Sequence, residues 1–67
     1  MSQRTEFAVY CLERYRYYHG LSGSEAAKLF AENGVFGYLE ESYGALHTMG
    51  DRYITEDIDD FLQSRHG

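Results

Sequence analysis

Sixty-seven residues, eleven acidic against six basic side chains for a net charge of −5, and a single cysteine bound this chain to one small domain with no internal disulfide. A chain of this size buries only about 60 % of the surface its unfolded form exposes, and scaling by length gives a stability of roughly 3–10 kcal/mol. No basic stretch leads into an apolar N-terminal run, and no run of about eighteen apolar residues occurs, so neither export nor membrane spanning is expected; the lone thiol suits a reducing cytoplasm.

The first helix is predicted from about Arg4 to His19. Phe7, Cys11, Tyr15 and Tyr18 recur at helical spacing, with Ala8 and Leu12 widening the apolar stripe. Gly20 offers the left-handed residue that ends a helix, and His19 suits the negative end of the dipole. Ser22-Gly23-Ser24-Glu25 then carries the S-x-x-E spacing of a capping box, flanked by Leu21 and Ala26 as a hydrophobic staple. A second helix follows from Gly23 to Glu32, burying Ala26, Leu29 and Phe30, and stops at Asn33-Gly34. Val35 to about Met49 reads as a third helical region through Phe36, Leu39, Tyr43 and Leu46, with Gly37 and Gly44 weakening it and a break expected near Gly44. Beyond the stop at Gly50, Asp51-Arg52 reads as a turn and Tyr53-Ile54 as a short extended piece. Thr55 is the expected N-cap of a last helix that buries Ile58, Phe61 and Leu62. With no proline and no repeat, the whole chain, residues 1–67, reads as a single all-α domain: a bundle of about four short helices.

The polar residues mostly fail the tests for chemistry. Glu56, Asp59 and Asp60 fall opposite the apolar arc of the last helix with Asp57 on its flank, which describes a solvated face. A calcium loop would need alternating oxygen ligands around a glycine. Zinc would want four nitrogen or sulfur ligands, and Cys11, His19, His47 and His66 include no close pair in sequence. Cys11 lies on the apolar stripe, where a thiol behaves as a small hydrophobe. No glycine-rich phosphate loop is present. His47 has no sequence partner to orient it as a general base; with Thr48 it is read as bonding backbone groups and pinning the turn before Gly50, or as a contact residue. The expectation is therefore no catalytic, cofactor-binding or metal-ligating residue.

The aromatic surplus is the positive signal. Seven tyrosines and four phenylalanines exceed what a small core needs, and Tyr10, Arg14 and Tyr17 form a second ridge on the first helix beside the buried stripe. Tyrosine and arginine are over-represented among interface hot spots, which makes this ridge a candidate partner contact. The competing account is that the ridge covers the core margin, with Arg14 resting on a ring.

Charge is uneven along the chain. Residues 1–19 carry three basic and two acidic side chains, a net of +1, whereas residues 20–67 carry three and nine, a net of −6. Such a surplus of carboxylates disfavours phosphate backbones. A helix-turn-helix reading of the helices around Gly34 is the alternative, and Glu40 and Glu41 count against it.

The stretch "YGALHTMGDRYITEDIDDFL", and above all Leu46-His47-Thr48, Gly50, Tyr53-Ile54, Asp57-Ile58 and Phe61, together with Glu6-Phe7, Cys11-Leu12-Glu13, Leu21-Ser22-Gly23, Gly34-Val35-Phe36 and Tyr38-Leu39, resembles a family of small bacterial proteins of unknown function, number 3791 in the domain-of-unknown-function series. The resemblance covers nearly the whole chain and implies a compact helical domain, with no activity, cofactor or catalytic residue to carry over. It further implies a neighbourhood of proteins resembling ADP-ribosyltransferases, in which a small acidic chain would act as an antitoxin-like or regulatory partner. The expected function is thus non-enzymatic binding of another protein in the cytoplasm; a homodimer that buries the tyrosine ridge is the further option.

Overall fold

The computed structural model describes residues 2–66, and of His66 the backbone alone, so that the imidazole in the zinc inventory lies outside the described residues. Five helices follow in chain order: α1 (Gln3–His19), α2 (Gly23–Glu32), α3 (Val35–Glu41), α4 (Tyr43–Leu46) and α5 (Asp51–His66). Together they make an all-α domain, and among the described residues no helix is long and apolar enough to cross a membrane.

Local sequence sets the first two helices almost residue by residue. Ser2 caps α1 by accepting from the Thr5 amide, and Gly20 ends it at φ 65°. The Leu21 amide reaches back to the Arg16 carbonyl at 2.9 Å, the closure that lets an apolar residue fold over a helix end. At α2 both halves of the capping box form: the Ser22 hydroxyl accepts from the Glu25 amide at 3.0 Å, and the Glu25 carboxylate accepts from the Ser22 amide at 2.8 Å. The short connection turns α2 back against α1. Gly34, at φ 70°, makes the next reversal in the left-handed region that L side chains avoid.

The break expected near Gly44 falls at Ser42, whose φ of −93° and ψ of 9° leave the helical range, and α4 resumes at Tyr43 with Gly44 inside it. The expected start of the last helix is corrected. The last helix begins at Asp51, so Asp51-Arg52 is no turn, Tyr53-Ile54 is not extended, and Thr55 is a buried residue within the helix rather than its cap. Burial explains the earlier start. Ile54, Ile58 and Leu62 recur every four residues and all enter the core, and only a helix through Ile54 puts the three on one face. The Gly50 carbonyl accepts from the Ile54 amide at 3.1 Å, closing the first turn.

The core forms where α1 meets α2, α3 and α5. Phe30, Leu39, Ile58, Val35 and Cys11 are its largest fully buried side chains, edged by Phe7, Tyr15, Leu46 and Leu62. Tyr15 packs edge-on against Phe30 at 5.3 Å, and Phe7 edge-on against Tyr43 at 5.5 Å. Tyr18 departs from the expected stripe. It is 47 % exposed, because the buried arc of α1 is satisfied by Phe7, Ala8, Cys11 and Tyr15, and Leu21 closes over its end.

Candidate functional site

Three tyrosines from α1 and α3 donate their hydroxyls to three aspartates of α5. Tyr10 bonds Asp51, Tyr38 bonds Asp57, and Tyr15 bonds Asp59 at 2.7 Å. The last helix therefore does not simply wet its polar face. Glu56 and Asp60 are exposed, but Asp57 and Asp59 are half-buried acceptors that fasten α5 to its neighbours. The pairing holds each phenol in its protonated form. Burial, then the bond to Asp59, raises the Tyr15 pKa; burial and Asp57 push Tyr38 up to about 12; the bond to Asp51 is the main cause of the rise at Tyr10.

Asp51 gathers the candidate ridge. Beside the Tyr10 hydroxyl it takes Arg14, whose Nε lies 2.9 Å from a carboxylate oxygen. The guanidinium stands 5.1 Å from the Tyr17 ring centroid and 5.7 Å from that of Tyr18. Tyr10 and Arg14 are thus brought together by a residue forty-one positions from Tyr10 in sequence, while Tyr17 remains 70 % exposed. Exposed Tyr10, Tyr17 and Tyr18 give the ridge an aromatic outer surface.

At one end of the ridge an open groove of about 400 Å³ runs between α1, α4 and the start of α5, walled by Phe7, Tyr10, Tyr43 and Met49 and reached by Glu6 and His47. His47 Nδ1 lies 2.7 Å from the Tyr43 carbonyl, and its ring stacks on the Tyr43 ring at 4.3 Å with 7° between planes. A carbonyl only accepts, so the nitrogen facing it carries the hydrogen. Thr48 is exposed beside it.

At the other end lies a second open cleft of about 450 Å³. Here His19 Nε2 sits 3.1 Å from the second oxygen of Asp59, and the imidazole packs on Tyr15 at 4.4 Å. This Tyr15–Asp59–His19 chain escapes a sequence reading, since Asp59 lies forty positions from His19. The only local signal is that Tyr15 and His19 are four residues apart and share a helix face.

Among the described residues no three His, Cys, Asp or Glu side chains are grouped to hold a metal ion. Cys11 is fully buried, and burial pushes its thiol up to about 12, which removes the thiolate that nucleophilic chemistry needs.

The molecule is a small helical domain whose most distinctive surface is an aromatic–arginine ridge clipped by an aspartate of another helix. The chain belongs to the family described as protein of unknown function (DUF3791), whose model matches residues 6–65. No curated protein and no solved structure matches it.

Proposed function

We propose that this chain is a non-enzymatic binding domain that acts on another protein in a bacterial cytoplasm through the Tyr10–Arg14–Tyr17 ridge. The observation that supports this most is the clip at Asp51. Side chains of the hot-spot type stand at the surface, yet Tyr10 and Arg14 are already held in place by an internal carboxylate. Binding through such a surface loses less side-chain freedom than binding through loose residues. The partner most consistent with the family resemblance is a neighbouring ADP-ribosyltransferase-like protein, toward which the chain would be antitoxin-like or regulatory. Its net charge of −5 suits a basic cleft. His47 and Thr48 belong to this reading as residues of the turn beyond α4, with His47 at the rim of the adjoining groove.

Helix-turn-helix recognition gains no support. Residues 35–41 of α3 include no lysine or arginine and end in Glu40-Glu41, so a groove-reading helix would offer carboxylates to phosphates.

Co-expression with the products of adjacent open reading frames, followed by capture, tests the proposal. Wild type is expected to retain a partner and a Tyr17→Ala variant to release it with the helical spectrum unchanged. Absence of any retained partner counts against the reading, and so does undiminished capture by the Tyr10→Ala, Tyr17→Ala double variant.

A further inference from the structure

We propose that the free chain pairs with a second copy of itself through the outer face shared by α1 and α5, and that this pairing competes with the protein partner for the ridge. The competition rests on the protein-binding reading above; the pairing does not. Tyr10 bonds Asp51, while Tyr15 and His19 both bond Asp59, so the two helices run side by side in the same direction. Their outer face joins the ridge to the second cleft through Tyr18, which the Arg14 guanidinium overlies and which walls the cleft together with Arg52, Thr55 and Glu56. Among the described residues six large hydrophobic side chains are exposed, and three of them, Tyr10, Tyr17 and Tyr18, lie on this one face. Exposure gathered in this way marks a contact surface, whereas single scattered residues do not.

Charge selects the occupant. A two-fold pair lays one patch on its own image, so the patch must hold both signs in near balance. Here Arg14 stands with Asp51, Arg52 with Glu56 and His19 with Asp59, each pair within 3.5 Å. Two bases against three acids give the face a formal charge of −1, and the remaining −4 of the chain's −5 lies elsewhere. A second copy therefore meets this face without the repulsion that the rest of the surface would impose. The area sets the strength. The domain extends 25 × 24 × 20 Å, so two opposed faces cover on the order of 1,000 Å² in total, the low end for specific association, and the pair is reversible.

Sedimentation equilibrium of the full chain should show the mean mass rising from one chain at about 10 μM toward two at about 1 mM, the behaviour of a small interface. Tyr17→Ala, at a position 70 % exposed, should raise the dissociation constant about ten-fold. Arg52→Glu takes the face from −1 to −3 and should weaken pairing about five-fold or more in low salt, with the deficit shrinking at about 1 M salt. Lys28→Glu makes the same change of net charge at an exposed position of α2 and should pair nearly as wild type does. Circular dichroism melts of each variant check that the fold is kept. A single-chain mass at every concentration overturns the pairing and leaves the partner reading standing. Pairing that neither Tyr17→Ala nor Arg52→Glu weakens overturns the assignment to this face, and so does an equal loss in Lys28→Glu and Arg52→Glu. Where a partner is captured, its excess is expected to convert the pair into complexes that hold one copy, and complexes that keep both copies refute the competition. Concentration-dependent pairing in a chain that captures no partner supports the dimer while the partner reading falls.

Discussion

Raising the pH should unfold this protein over a narrow interval, because its fold holds protons that the unfolded chain releases. Tyr15 and Tyr38 have their folded pKa raised, Tyr38 to about 12, and buried Cys11 is likewise pushed up to about 12. A group whose folded pKa exceeds its unfolded value contributes its full stabilisation below the unfolded pKa and loses it as pH rises toward the folded one. Above the unfolded pKa, each such group withdraws about 1.4 kcal/mol per pH unit. By about pH 11, Cys11 and Tyr15 with a half share from the partly solvated Tyr38 withdraw roughly 5 kcal/mol. Against a total of roughly 3–10 kcal/mol, the midpoint should fall between about pH 10 and 12. Circular dichroism at 222 nm and tyrosinate absorbance at 295 nm, followed on the same samples, should change together for the bonded phenols. The diagnostic is the slope. Tyr15→Phe removes one of the retained protons, so its stability should fall less steeply with pH than that of wild type, by about 0.7 kcal/mol per unit near pH 10 and approaching about 1.4 kcal/mol per unit by about pH 11. Equal slopes, or full phenol ionisation with the helical signal intact at about pH 11.5, would refute the reasoning.

Other perturbations test separate parts of the structure. Tyr15→Phe at neutral pH leaves one Asp59 oxygen with a lost donor in a half-buried site and should cost about 1–2 kcal/mol in urea denaturation. Ser22→Ala removes one half of the capping box and should cost about 1 kcal/mol. The Ser22 backbone amide, and after it the hydroxyl, lowers the Glu25 pKa, a stabilisation present above the usual glutamate range that fades as the pH falls through the lowered value; alanine keeps the amide, so the mutant–wild-type difference should shrink only slightly in acid, as a pH series of melts would show. Gly34→Ala forces a side chain into the left-handed region and should destabilise by about 1–2 kcal/mol. Gly37→Ala, inside α3 with nothing within 4 Å of the added carbon, should instead stabilise by about 0.5–1 kcal/mol. His47→Ala loses the bond to the Tyr43 carbonyl and the stack on its ring. Thermal melts should fall by several degrees, at about 1 kcal/mol, and no fall would deny His47 its part in the turn.

Sequence by itself determined what is local: the helical class, the stops at Gly20 and Gly34, the capping box at Ser22 and Glu25, and most of the buried stripe. These signals lie within a few residues of one another, and the forces that read them, helix periodicity and cap hydrogen bonds, act over the same distance. Tertiary structure decided the rest. It moved the start of α5 back to Asp51 by burying Ile54, and it left Tyr18 outside the core. It also turned Asp51, read as a turn residue, and Asp57 and Asp59, read as part of a solvated face, into the acceptors of three tyrosine hydroxyls. Those partners lie nineteen to forty-four positions apart in the chain, where no spacing rule reaches. A carboxylate on a helix reads as solvated until another helix brings a phenol to it, and only the packing of α1 and α3 against α5 does that.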